Sequence, residues 1–291
     1  MSDRVTRLVL SVPAVALVGL FFAVPLAMAI VQSLQVDGRW SVQNYLDLFQ
    51  LPFSRSIGTT VIVSVWTTVI TILVSLPVCN FVAKRGGWFA NVFFLGMALA
   101  FTLSVLTRTL AWQILLARNG FVNALLMNAG LIEAPLDLLY SRSAVLVSMV
   151  QVFIPIAAMV LYAGMKGIDR SLIIAARSLG ANALQSFWHA YWPQFKGSLV
   201  FAVLIVFSGS IGTFVIPAVL GGPDDAMFGQ LMNSVLTTDA MNGASRASAA
   251  GVLMIAFLTV VLLAGLRLMG RSGAAAAPAL VGGIAHRGAS R

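Results

Sequence analysis

The chain has 291 residues, of which 59% are hydrophobic and only 9% charged, and its mean hydropathy is +0.96. A soluble domain carries about 25% charged residues, so the composition excludes one and indicates an integral membrane protein. The net charge of +9 does not indicate nucleic acid, because the 18 basic residues lie between apolar blocks instead of forming one stripe with interleaved aromatics.

A single cysteine, Cys79, excludes an internal disulfide and a cysteine-based metal site. The two histidines, His189 and His286, stand far apart in sequence, so no zinc site is expected. The apolar blocks are about twenty residues long, the length of helix that crosses a bilayer. They predict an all-α membrane protein with six spans, at residues 8–34, 57–83, 89–116, 144–165, 199–220 and 247–269.

The first block contains "LAMA" at 26–29, which looks like a cleavage site. Its apolar region exceeds the 7–15 residues or so of a signal peptide, so an uncleaved span is expected. Counting charge in the connections gives the orientation. One side holds residues 1–7, the Lys84–Arg85 turn, the loop 166–196 and the C-terminal end from Arg267 onward, with twelve basic residues against two acids. The other side holds six basic residues against seven acids. Short cytoplasmic loops are enriched in Lys and Arg, so the first side, with both termini, is expected in the cytoplasm. The tail is rich in Ala and Gly without apolar periodicity and is expected to be disordered.

The loop between spans four and five carries "IIAARSLGANALQSFWHAYWP" over residues 173–193. Asp169 or Ser171 can cap a short helix. "SLIIAARSL" forms helix readily, and Gly180 is placed to end it in a left-handed conformation. Asn182 can cap a second short helix, with Pro193 near its close. Two small helices joined at Gly180 would make a rigid projection, on which Ala175 and Ala176 offer no bulk to hold a partner away.

This segment resembles the EAA loop of importer permeases of the ATP-binding-cassette family, in which Glu-Ala-Ala is followed after three residues by Gly and, further on, by Ile-x-Leu-Pro. Ala175, Ala176, Gly180 and Pro193 match that spacing. Ile174 stands where Glu is usual, Ala190 where Ile is, and Trp192 where Leu is. The stretches 108–141 and 208–222 are similar to the corresponding parts of spermidine/putrescine permeases of the first-subunit type, whose relatives handle opines, phosphonates or ferric iron.

The resemblance implies a type I importer fold and a chain that forms half of a pore with a second, homologous permease. It also implies a cytoplasmic ATPase dimer, which would bind ATP and Mg2+, and a periplasmic solute-binding protein. No cofactor and no enzymatic activity are expected in this chain, which lacks a phosphate-binding G-x-x-x-x-G-K-[ST] loop. Ile174, Ala175, Ala176, Arg177, Leu179, Gly180 and Pro193 would then form the docking surface. With Ile174 in place of Glu, docking would rest on apolar packing and on Arg177.

Polar residues within spans are costly and mark pathways. Arg108 and Trp112, at helical spacing, present a cation and an indole to one side. Alternatively, Arg108 snorkels to the interface and Trp112 belongs to the aromatic belt. In span five, Gly209 and Gly212 either loosen a gate-lining helix or let helices pack closely. Ser210 and Phe214 would face the pathway, and Pro217 would bend the outer end. Gln151, Tyr162 and Asn80 are further candidates.

The six spans contain no Asp or Glu, which weakens a polyamine assignment. Carboxylates would have to come from a partner or from Glu133, Asp137, Asp224, Asp225 and Asp239. An ion-coupled secondary transporter is the alternative, but it would need intramembrane acids and repeated topology. A membrane enzyme would need clustered His and acidic residues.

Overall fold

The computed structural model describes residues 3–50, 53–222, 226–239 and 241–273. Asp224, Asp225 and the tail from 274 onward lie outside the described residues. Two compact units divide the chain, Met1–Ile57 with Phe228–Thr259, and Gly58–Met227 with Val260–Arg291.

In the first unit, helix α1 (Asp3–Ser33) leads into a two-stranded hairpin of β1 (Gln35–Val36) and β2 (Arg39–Trp40). Asp37 and Gly38 turn it with φ of 50° and 74°, the left-handed pair that matches the twist of a tight hairpin. The short helix α2 (Gln43–Asp47) follows. Its buried Asn44 donates to Ser33 O and Gln35 O, both at 3.0 Å, which fixes α2 against the end of α1. Helix α12 (Phe228–Thr238) and the start of α13 (Gly243–Gly273) complete the unit around Leu48, Phe228, Met232, Ala249 and Ala250. Arg246 reaches Asp239 at 3.1 Å and Asp47 at 3.6 Å.

The second unit contains most of α3 (Phe53–Arg85), then α4 (Gly87–Thr102), α5 (Val105–Leu116), α6 (Phe121–Asn128) and α7 (Arg142–Lys166). After α8 (Arg170–Ser178) and α9 (Ala183–Ser186), a π-turn at Phe187–Tyr191 runs into α10 (Trp192–Ile211), and α11 (Val215–Leu220) follows. Helix α7 is its centre: Met149, Ala157, Ala158 and Leu161 are buried with Ala202 and Val206 of α10 and Ile216 and Leu220 of α11. Small residues set the approach of α7 and α10. A Cβ on Gly164 would overlap Ser198, and one on Gly209 would lie 2.7 Å from the Phe153 ring. Close backbone approach of this kind holds helices together in lipid, where apolar burial gives little drive.

Helix α3 turns a stripe of Ser64, Thr67, Thr71 and Ser75 inward. On α7, Met149 Sδ accepts from Thr67 Oγ1 at 3.9 Å and Ala158 O accepts from Cys79 Sγ at 3.3 Å.

Among the described residues, five helices are long and apolar enough to cross a membrane, and a sixth span forms if the bent pair Gly87–Thr102 and Val105–Asn128 counts as one. The expected continuous third span is therefore broken, with a bend of 95°. Leu103 leaves the helix with ψ of 130°, and Ser104 caps a new one by accepting from Thr107 N at 3.2 Å.

The fifth span also differs. It begins far earlier, as one helical run over Ala183–Ile211, and it ends at Gly212, so that 215–220 forms a separate helix. Pro193 does not close a loop helix; it sits in the first turn of α10. Proline cannot donate to the carbonyl four residues back and crowds it. The widened turn just before it, where Trp192 N donates to Phe187 O, relieves that conflict without ending the helix. Pro217 likewise lies within the first turn of α11, downstream of the actual break.

Candidate functional site

Residues 166–196 contain the two capped helical starts, joined at Gly180, that the sequence predicts, but the second helix runs on through Pro193 into α10. Asp169 caps α8, its Oδ1 accepting from Ser171 N at 2.8 Å. The Ser171 hydroxyl and N–H both donate to the Asp169 carboxylate and hold its pKa below the ordinary value. At the other end, Gly180 takes φ of +90°. Ala181 N donates to Ala176 O at 3.1 Å and Gly180 N to Arg177 O at 3.0 Å, the paired bonds that satisfy the last carbonyls of a helix ended by a left-handed residue. Asn182 and Gln185 then form a reciprocal capping box on α9.

The outcome is a firmly bounded helix with an apolar outer surface. Ile174 is 65% exposed and Leu179 89% exposed, with Leu172 and Leu184 also open. Ala175, Arg177 and Pro193 are exposed too, while Ala176 is half-buried.

Sequence reasoning missed the group that ties this projection to the span behind it. Gln194, on α10, accepts from Asp169 N at 2.8 Å through Oε1 and donates from Nε2 to Ala190 O at 2.7 Å. It stands next to Pro193, and only the continuous run from α9 into α10 brings it back to the start of α8. The aromatics of that run meet at successive turns: Phe187 stacks on Tyr191 at 5.4 Å, Trp188 meets Trp192 edge-on at 5.6 Å, and Tyr191 lies tilted against Phe195 at 5.7 Å. His189 is a polar member of the same turn, its Nδ1 3.0 Å from Gln185 O.

The pathway candidates are dispersed. Arg108 and Trp112 share a face of α5, and Trp112 packs partly buried against the core of the unit. The Nε of Arg108 is shielded and has no hydrogen-bond partner among the described residues, and the same holds for Gln151 Oε1 on α7 and Ser208 Oγ on α10. Tyr162 instead packs on α4, 5.7 Å from Phe93 and 5.1 Å from Phe94. Ser210 is fully buried, donating to its own helix at Phe207 O, whereas Phe214 is exposed at the break before α11. Gly209 serves packing under Phe153, and Asn80 is exposed.

Among the carboxylates considered, Asp239 is bound to Arg246, Asp137 forms a loose, exposed pair with Arg118 at 3.9 Å, and Glu133 is exposed. Asn123, which sequence reasoning also missed, holds the connection after α6, donating to Leu136 O and accepting from Leu136 N, both at 2.9 Å.

No family model matches the chain. It is 25% identical, over 194 residues, to the spermidine/putrescine transport system permease protein PotB of Haemophilus influenzae, covering 67% of this chain and 68% of that protein. The fold is similar to that of a chain of a bacterial ATP-binding-cassette transporter that imports the acidic polysaccharide alginate. The TM-score is 0.71 and the identity 20%, with 92% of this chain and 96% of the other covered. A second structure of a bacterial alginate transporter, in complex with a periplasmic protein carrying an alginate pentasaccharide, matches with a TM-score of 0.68 and 18% identity over 92% of this chain and 94% of that one. The chain thus has the fold of a transmembrane subunit of such an importer and is similar over two thirds of its length to spermidine/putrescine transport permeases.

Proposed function

We propose that the chain forms half of the translocation pathway of an ATP-driven importer and receives the power stroke through the projection around α8. The observation that carries this is the capped, Gly180-closed helix with Leu172, Ile174 and Leu179 facing out. A soluble partner with an apolar groove is the simplest cover for such a surface. Gln194 supports a mechanical role, because a displacement of α8 passes through the Asp169–Gln194 bond directly into the base of α10.

In this reading the ATPase dimer holds ATP and Mg2+ in the cytoplasm, and a second, homologous permease completes the pore. A periplasmic binding protein delivers a small polar solute within the polyamine, opine, phosphonate or iron-carrier range. Both termini lie in the cytoplasm, as the excess of basic residues on that side supports. Arg108, Trp112, Ser210, Phe214, Gln151 and Tyr162 are the chain's own candidates for the pathway, with Arg108 and Gln151 foremost because their shielded Nε and Oε1 have no partner among the described residues.

The test is purification of the tagged chain from membranes in mild detergent. Recovery with a P-loop ATPase and a second six-span permease is expected. Recovery of the chain alone, active in proteoliposomes without ATP, would overturn the reading in favour of an ion-coupled carrier.

A further inference from the structure

Between Phe53 and Gly273 no helix contains an Asp or Glu. Among the described residues of this stretch, Glu133, Asp137, Asp169 and Asp239 all lie in connections, and Asp239 and Asp137 are already paired with arginines. Arg108 is the opposite case: a guanidinium within the bent third span, with its Nε shielded and no hydrogen bond or ion pair from its side chain to any described residue. Helix α5, which carries it, packs on α7 and α11, and α7 packs on α10. On those same helices Gln151 Oε1, Ser148 Oγ and Ser208 Oγ are shielded and lack partners among the described residues. Apart from Arg142, Lys166 and Lys196, which lie in the end turns of α7 and α10, the described parts of these mutually packed helices hold Arg108 as their cation, with several unsatisfied polar groups and no carboxylate on the helices to meet it.

From this juxtaposition we infer that the transported solute bears an oxyanion, a carboxylate or a phosphonate, and that Arg108 is the residue that selects it. The inference rests on the importer reading above and narrows its cargo. An uncompensated charge in a span is costly and is retained where it meets a ligand or an opposite charge. The planar guanidinium fork suits the paired oxygens of a carboxylate or phosphonate. A polyamine would meet like charge in a low-dielectric setting, where repulsion is strong. Trp112, one turn along, offers an aromatic face, but a cation on that face would lie beside Arg108. In this respect the chain departs from the spermidine and putrescine of its relatives' names.

The experiment uses the complete importer, with its partner permease, ATPase and binding protein, in proteoliposomes. ATPase stimulation is measured with spermidine, with 2-aminoethylphosphonate, with octopine and with an oligouronate. At least one of the anions is expected to stimulate and spermidine not to. Replacement by Arg108→Gln should lower that stimulation about tenfold or more, with partial recovery in Arg108→Lys, which keeps the charge and guards against a folding artefact. The phosphonate and carboxylate arms separate the two oxyanion sources. Stimulation by spermidine, failure of every anion, or an Arg108→Gln importer that responds like the wild type would each overturn the inference. A complex that hydrolyses ATP and takes up spermidine leaves the importer reading standing, whereas a chain that assembles with no ATPase removes both.

Discussion

Gly180 is the residue on which the projection turns. A Cβ there would meet nothing within 4 Å, so space does not demand glycine; the φ of +90° does. A β-branched side chain in a left-handed conformation costs about 1–2 kcal/mol. Gly180→Val is therefore expected to loosen the end of α8 and lower substrate-stimulated ATPase severalfold, while Gly180→Asn, which tolerates that conformation, keeps most of it. Wild-type stimulation in an assembled Gly180→Val importer would remove the coupling role.

Asp169 governs the other end of α8 and gives a pH signature. Its folded-state pKa is depressed by the Ser171 hydroxyl and N–H. The cap is then fully formed above the unfolded carboxylate pKa of about 3.9 and is lost only as pH falls through the lower, folded value. Hydrogen exchange at the Ser171 amide, corrected for intrinsic rate, should stay protected from neutral pH down to about 5 and decay only in stronger acid. Asp169→Asn, which retains a capping oxygen, should abolish that acid-dependent decay.

At the level of elements, α7 and α10 meet through Gly209 under Phe153 and through Gly164 against Ser198. Substituting Gly209→Val places atoms where the Phe153 ring lies. Overpacking of this kind costs about 1–3 kcal/mol, so thermal unfolding of the detergent-solubilised chain should fall measurably. Phe153→Ala in the same background should return part of the loss, and an unshifted Gly209→Val midpoint would show that the helices separate there freely.

This junction also shows what the sequence reveals and what it hides. The fourth span, expected at 144–165, forms over Arg142–Lys166 because hydropathy locates a straight, central helix and Ser141 caps its start. Hydropathy presents the third and fifth spans as single rods, because it averages over composition and cannot see a cap inside an apolar run. Ser104 followed by Thr107 was the local signal for the break, and Gly212 with Thr213 for the second one. The π-turn before Pro193 leaves no periodic trace, so proline there reads as an end when it is a beginning. In the loop, by contrast, Asp169, Gly180 and Asn182 were legible because capping is a local contest between one side chain and a few backbone groups. Gln194 and Asn123 were not, since each acts on a residue brought close only by folding.

At the scale of the whole molecule, the proposed mechanism requires the α8 projection to face the compartment where ATP is made. Twelve basic residues on that side against six on the other favour this orientation, because the positive-inside rule counts Lys and Arg near span ends. The chain suits a direct test, since its single cysteine, Cys79, is fully buried and donates to Ala158 O. Wild-type background labelling should therefore be slight. Ser178→Cys places an exposed thiol in the last turn of α8, and Glu133→Cys places one in the connection between α6 and α7. A membrane-impermeant maleimide is expected to label Ser178→Cys in inside-out vesicles and not in intact spheroplasts, and Glu133→Cys with the opposite preference. Reversal of both patterns would invert the orientation and leave the projection on the wrong side for an ATPase. If both patterns hold, the same thiol reports docking. Its labelling rate should drop when the ATPase is present and recover when the ATPase is stripped, because Leu179, beside it, is among the residues that a bound partner would cover.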